Sequence, residues 1–140
     1  MSEEANLRVF REMNEAENAH DVDRIATLED EACYWESDSL PEPIRGREAD
    51  RQLNQAMFAA FPDYHRDIEQ SIASGDYVVI RWRMTGTHRG EWQGIAPTNQ
   101  RIEIHGCSVI EFKNAKVARA WVYWDTGTVL RQLGVLPGSG

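Results

Sequence analysis

The spacing of hydrophobic residues changes once along this chain, at Pro62. Before Pro62 they recur every three to four residues, which is the period of an amphipathic helix. After Pro62 they alternate with polar residues, which is the period of a half-buried strand. Helices in one half of a chain and hairpins in the other predict an α+β fold, in which a helical layer packs on an antiparallel sheet.

The first half predicts three helices and one short strand. A first helix spans about residues 3–19, and Asp21 can cap a short second helix that follows it. Residues 32–36 are rich in strand-forming side chains, and prolines then predict a loop up to Gly46. A third amphipathic helix spans 47–61 and ends before Pro62.

The second half predicts two hairpins and a closing helix. The strands are expected at 67–73, 77–87, 102–112 and 117–124, and the helix at 126–133. The second hairpin turns at Asn114-Ala115. Helices on the concave side of such a bent sheet enclose a pocket at its wide end. We therefore expect a single domain over 1–136 and a flexible tail over 137–140.

The overall charge and composition restrict the function. The chain has 140 residues and a formal net charge of −8, which disfavours binding to nucleic acid and to anionic membranes. No apolar run approaches the ~18 residues of a membrane span, and the acidic, polar start is unlike a signal peptide. Cys33 and Cys107 lie far apart, outside any ligand spacing for a metal. These features predict a cytoplasmic protein with no metal and no cofactor.

Two segments carry a family resemblance. Residues 86–98 read G-T-H-R-G-E-W-Q-G-I-A-P-T and resemble the G-x-H-x-G-x-x-x-G-x-x-P-T loop of SnoaL-like polyketide cyclases. Residues 125–134 resemble the D-x-x-x-x-L-x-Q-L-G ending of the same family. The resemblance covers 46–134. It implies the cone-shaped α+β barrel called nuclear transport factor 2-like, and a homodimer packed through the convex sheet face.

One departure from this family concerns its catalytic acid. Family members similar to SnoaL close a carbocycle by an intramolecular aldol reaction without a metal or cofactor. The resemblance places their essential aspartate at Val122, and two pocket histidines at Ser108 and Ala120. A valine side chain cannot accept a proton, so this chain cannot use the family's acid–base group at that position.

Three other residues are candidate catalytic groups, each with a structural alternative. If the second hairpin turns at Asn114-Ala115, His105 lies opposite Trp124, near the position of the family's aspartate. His105 would then act as a proton shuttle. Alternatively, it lies on the outer face of the sheet. Asp125 is a second acid–base group or the N-cap of the last helix. Glu36 is an acid or base among aromatic residues, or a solvated loop glutamate.

Other residues are candidates for binding a substrate. His88 belongs to the family-like loop and shapes the pocket rim or pairs with His105 in catalysis. Tyr34 donates a hydrogen bond to a substrate oxygen or to backbone. Some of the five tryptophans fill the core, and others favour a flat, hydrophobic ligand. The full predicted binding set is Tyr34, Trp35, Trp82, His88, Val122 and Trp124.

Three functions follow from these residues. The first is a cofactor-independent acid–base enzyme, of cyclase, isomerase or dehydratase type, that acts on a small hydrophobic molecule resembling a polyketide or a steroid. A double-bond isomerase of the ketosteroid type is a more specific version, for which Glu36 and Tyr34 supply the residue types. The third is a domain of the same fold that binds a small molecule without chemistry, which Val122 favours.

Overall fold

The computed structural model describes residues 2–137, and it contains the expected helical and strand halves. Its elements are α1 (Glu3–Asn18), α2 (Val22–Thr27), β1 (Glu29–Glu36), β2 (Ile44–Arg45), α3 (Arg47–Ala60), β3 (His65–Ser74), β4 (Tyr77–Thr87), β5 (Arg101–Lys113), β6 (Lys116–Trp124) and α4 (Thr126–Leu133). The two-residue β2 lies where the sequence predicts loop, and β1 begins three residues before the predicted strand. Residues 138–140 of the predicted tail lie outside the described residues.

The six strands form one curved, open sheet in the order β2-β1-β6-β5-β4-β3. The predicted α+β class is confirmed, with two differences from the expected antiparallel barrel. The sheet does not close, because β2 and β3 lie at opposite edges. β1 runs parallel to β6, whereas the other neighbours are antiparallel. This parallel pairing joins the helical half of the chain to the hairpin half.

The inner face of the sheet packs against the helices. On β4 the residues Val78, Ile80, Trp82 and Met84 are buried, as their alternation predicts, and the two arginines between them face outward. Helix α1 packs against β3 and β4, α3 against β1, and α4 against β5. Among residues 2–137, no helix is both long enough and apolar enough to cross a membrane.

Local capping explains where the helices begin. Ser2 accepts a hydrogen bond from Ala5 N (3.0 Å), and Asp21 accepts one from Arg24 N (3.1 Å). Asp125 does the same for Gly127 N (3.0 Å). These bonds satisfy N–H groups that a helix terminus leaves without a partner.

A β-bulge corrects the predicted register of the second hairpin. The turn lies at Asn114 and Ala115, both with positive φ, but the pairing shifts by one residue between Glu111 and Phe112. Trp124 therefore lies opposite Gly106 rather than opposite His105. Because side chains alternate between the faces of a strand, a shift of one residue exchanges their faces. The expected pairing of His105 with Trp124 was wrong.

In this register, the residue of β5 that lies beside the Trp82 ring has to be a glycine. Gly106 also pairs with Trp82 of β4, and a Cβ atom at Gly106 would lie 2.1 Å from the Trp82 ring. The absence of a side chain lets the indole lie flat over β5. There Trp82 Nε1 donates to Ser108 Oγ at 3.0 Å.

Candidate active site

A cavity of about 260 Å³ lies between the sheet and helices α1 and α3. That volume is just below the roughly 300–1,000 Å³ of common ligand sites, so it suits a compact molecule. Its wall is mainly apolar and aromatic. The rings that contribute are Phe10, Trp35, Phe61, Tyr64, Trp82, Trp92 and Trp124.

Five of the predicted site residues line this cavity. Val122 lies on the sheet wall, opposite Ser108 in the adjacent strand. Glu36 is exposed at the end of β1. The full set that the fold brings together here is Trp35, Glu36, Trp82, Val122 and Trp124.

His105 and Asp125 lie elsewhere. The His105 side chain is 60% exposed on the outer face of the sheet, with Nδ1 3.1 Å from Glu69 Oε1. Asp125 caps α4 and also accepts a hydrogen bond from Thr128 Oγ1 at 2.7 Å. That bond holds the pKa of Asp125 below its ordinary value. Neither residue is part of the cavity wall.

Tyr34 and His88 do not line the cavity, and both have hydrogen-bond partners within the protein. Tyr34 donates its hydroxyl hydrogen to Glu36 Oε2 (3.1 Å), and the Arg45 guanidinium lies over its ring. His88 is fully buried, and its Nδ1 accepts a hydrogen bond from Thr98 N (3.2 Å). This bond ties the two ends of the family-like loop together and places the ring beside Phe61.

A buried pair of carboxyl groups was missed by sequence reasoning. Glu29 begins β1 and is fully buried, and Asp50 lies in the first turn of α3 with 5% of its surface exposed. Asp50 lines the cavity, and Glu29 lies behind it. Glu29 Oε2 accepts from Trp35 Nε1 (3.0 Å), while Asp50 Oδ2 accepts from Asn54 Nδ2 (3.2 Å).

Burial changes the titration of both acids. Burial, followed by the hydrogen bond and charge of Asp50, raises the pKa of Glu29 to about 10. Burial also raises the pKa of Asp50 to about 6, although its hydrogen bond with Glu29 opposes that rise. At neutral pH the pair therefore holds one proton, on Glu29, and Asp50 is a carboxylate. Asp50 is the acceptor available for this proton, since Glu29 Oε1 has no hydrogen-bond partner outside the pair within residues 2–137.

Cys33 lies against the same pair. Its Sγ is 3.8 Å from Glu29 Oε2, and the side chain is fully buried. Burial and the neighbouring acids raise the pKa of this thiol to about 12. Cys33 is thus a neutral, unreactive thiol.

A second polar cluster joins α1 to β3 at the cavity. Arg66 Nη2 lies 2.9 Å from Glu17 Oε2, with 12% and 9% of the two side chains exposed. Tyr64 donates its hydroxyl hydrogen to the same Glu17 oxygen at 3.1 Å. Burial raises the pKa of Tyr64 well above its ordinary value, so the phenol stays protonated. The cluster has balanced charges.

Of these two acids, Asp50 has a signal in the sequence and Glu29 has none. Asp50, Asn54 and Phe58 follow one another at four-residue spacing and share a buried stripe of α3. A search for apolar residues at helical spacing misses this acid and this amide, although their spacing from a buried phenylalanine marks them as part of the buried face. Glu29 has no such signal, because contacts between distant segments bury it: β1 pairs with β6, and the Glu29 side chain lies beside Asp50 of α3. Within residues 2–137, no three His, Cys, Asp or Glu side chains are grouped to hold a metal.

The fold is nuclear transport factor 2-like, and it encloses an aromatic cavity. The chain belongs to the SnoaL-like polyketide cyclase family, whose model matches residues 7–133. No protein of curated function matches the sequence.

Solved structures agree with this assignment. AclR, a proposed hydroxylase from Streptomyces galilaeus, is 27% identical with a TM-score of 0.87, over 99% of this chain and 87% of that one. IdmH, a proposed polyketide cyclase from Streptomyces antibioticus, is 25% identical with a TM-score of 0.79, over 93% and 99%. TsrD from Streptomyces laurentii is 19% identical with a TM-score of 0.87, over 97% and 99%, and shows the shared fold.

Proposed function

We propose that the protein is an acid–base enzyme that acts without a cofactor on a compact hydrophobic molecule bound in the cavity. The observation that carries this proposal is Asp50, a carboxylate on an apolar cavity wall with its pKa raised towards neutrality. A group with a pKa near the working pH is the most effective general base. Membership of a cyclase family supports a reaction that begins by removing a proton from carbon.

The residues around the cavity supply complementary roles. Asp50 would take the proton from the substrate. Glu29 would hold the Asp50 carboxylate in place by donating a hydrogen bond to it. Trp124 lines the wall opposite the helices, and its indole N–H can donate to a substrate oxygen. Glu36, at the end of β1, is the second acid–base candidate. We assign the proton transfer to Asp50 rather than to His105 or Asp125, whose side chains lie outside the wall.

The alternative function is a binding domain without chemistry. One observation favours it: Val122 occupies the position that the family resemblance gives to the catalytic aspartate, and it lines the cavity. In that case Asp50 would only orient a ligand. The two functions differ in whether protons of a bound molecule exchange with solvent.

Deuterium exchange tests the proposed function without knowledge of the full reaction. A panel of compact cyclic ketones and enones is incubated with the protein in D₂O, and incorporation at the carbon next to the carbonyl is followed by mass spectrometry. We expect exchange to rise with pH through about pH 6, because Asp50 becomes a base only when ionised. Binding without exchange above the buffer rate at any pH would contradict the enzymatic proposal and support the binding domain.

The family resemblance also supports a homodimer, which we propose forms through the outer face of the sheet. Three large apolar side chains are exposed on its strands: Ile72 (53%), Tyr77 (38%) and Tyr123 (49%). Sedimentation equilibrium should give twice the chain mass, and Tyr123→Glu should yield the monomer, because a two-fold interface would meet the new charge twice. A wild-type monomer at micromolar concentration would contradict the dimer.

The net charge and the cavity chemistry support proposals about where the protein is located and what it binds. The net charge of −8 supports a cytoplasmic protein that does not bind nucleic acid. The mostly apolar cavity supports a small hydrophobic molecule as its partner.

A further inference from the structure

The charged residues that line the cavity are unbalanced. Four are acids, and Arg66 is the one cation among the described lining residues. Arg66 is already neutralised by Glu17, at 2.9 Å between Nη2 and Oε2. It is also fixed by a hydrogen bond from its Nε to Asn14 Oδ1 at 2.8 Å. Among the described lining residues, no cation is therefore left without a countercharge to hold a carboxylate or phosphate on a ligand.

Asp50 is the buried acid of the lining that has no countercharge. Its protein partners are the neutral amide of Asn54, at 3.2 Å, and the protonated carboxyl of Glu29. The side chain is 95% buried, and it lines the cavity. A buried carboxylate without a cation costs free energy, and a ligand that brings a positive charge would offset that cost.

The aromatic wall favours the same kind of ligand. Four indole rings line the cavity, and the π-face of tryptophan attracts cations more strongly than that of tyrosine or phenylalanine. Two of these rings already donate their N–H groups to protein acceptors: Trp35 to Glu29 and Trp82 to Ser108. These two rings can therefore contact a ligand only through their apolar surface and their π-faces.

We propose that the cavity selects a compact organic cation, such as an amine in its protonated form or an iminium, over neutral and anionic molecules of the same shape. The cation would lie against the tryptophan rings with the Asp50 carboxylate as its counterion. The inference rests on the proposed function only in placing the substrate in this same cavity.

A cationic carbon acid also suits Asp50 as a base. In an iminium, the adjacent C–H bond breaks and its electron pair forms the enamine C=C bond. The electrons of the C=N π-bond return to nitrogen, and the proton passes to Asp50. An ion pair thereby becomes two neutral groups, which an apolar cavity favours. Deprotonation of a neutral ketone by Asp50 keeps one negative charge in the cavity, on the enolate, so we expect it to be slower than deprotonation of the iminium.

A matched set of probes tests the charge selectivity by binding alone. The probes are phenyltrimethylammonium, its neutral isostere tert-butylbenzene, and benzoate, each titrated against tryptophan fluorescence and by calorimetry. We expect the cation to bind at least about tenfold more tightly than the isostere, and benzoate to bind the most weakly. Equal affinity for the cation and the isostere, or tight binding of benzoate, would overturn the inference.

Two further measurements locate the selectivity at Asp50. Asp50→Asn should remove the preference for the cation and leave affinity for tert-butylbenzene unchanged, whereas Glu48→Gln, on the exposed first turn of α3, should retain the preference. If Asp50→Asn does not fold, lowering the pH of the wild type below about 6 should weaken binding of the cation alone. A preference that survives both changes would contradict the inference. Because these are binding experiments, their failure is separate from a failure of deuterium exchange.

Discussion

Asp50→Asn is expected to lower the rate of deuterium incorporation by about 10²–10⁴-fold, the usual contribution of a general base. The amide has the shape of the carboxylate, and its Oδ1 can still accept a hydrogen bond from Asn54, so the cavity is preserved. An amide cannot take up the substrate proton. We expect the rate to fall at every pH and the pH dependence near 6 to disappear, while the affinity for a neutral substrate changes little.

Two controls separate Asp50 from other acid–base groups. Glu48→Gln removes an exposed carboxylate from the same helix turn and should leave exchange unchanged. His105→Gln removes the histidine that sequence reasoning selected, and it should also leave exchange unchanged because that side chain faces outward beside Glu69. Full activity in Asp50→Asn together with loss in His105→Gln would refute the assignment of the base.

Glu29→Gln is expected to change the pH dependence of stability. The folded pKa of Glu29, about 10, lies far above the ordinary 4.5, so between these values the folded state holds one proton more than the unfolded state. The free energy of unfolding therefore falls as pH rises, by about 1.4 kcal/mol per pH unit for one proton. Between pH 6 and pH 8 the loss is roughly 3 kcal/mol. Glutamine keeps a donor for Asp50 and an acceptor for Trp35 but cannot ionise.

Urea unfolding at several pH values measures this effect. The wild type should lose stability from pH 6 to pH 8, and Glu29→Gln should be nearly flat over the same range and more stable than the wild type at pH 8. Glu31→Gln is the matched control, because Glu31 lies on the same strand but is exposed. A wild-type stability that is constant from pH 6 to pH 8 would mean that Glu29 is ionised in the folded protein.

The acid–base group proposed here lies on a different wall from the one that the family resemblance indicates. Val122 belongs to the sheet wall, whereas Asp50 projects from α3 on the helical wall. An acid on the opposite wall faces the other side of a bound molecule. Activity and substrate therefore have to be established for this chain rather than transferred from relatives of similar fold.

Much of the fold could be predicted from local patterns. The bounds of β4 and α4 agree with those expected, because alternating and capped segments report directly on their own hydrogen bonds. The division between the inner and outer faces of β4 was also predicted correctly. Five of the nine predicted site residues line the cavity, and all five lie on β1, β4 and β6.

The register of the second hairpin illustrates what local patterns leave open. Its turn was placed correctly at Asn114-Ala115, but one extra residue on β6 shifts the partners beyond Glu111. The alternation of residues within β5 is unaffected by that shift, so it contains no sign of the bulge. Only the pairing of the two strands decides which residue lies opposite His105.

Spacing along the chain was enough to predict the α+β class and the helical and strand halves, and two motifs gave the resemblance to the family. Each of these depends on neighbours in sequence. The parallel pairing of β1 with β6, the bulge, and the meeting of Glu29 with Asp50 depend on contacts between distant segments. Burial is what gives those two acids their unusual pKa values, and burial exists only once α3, β1 and the sheet have come together. The candidate base is thus a product of tertiary packing.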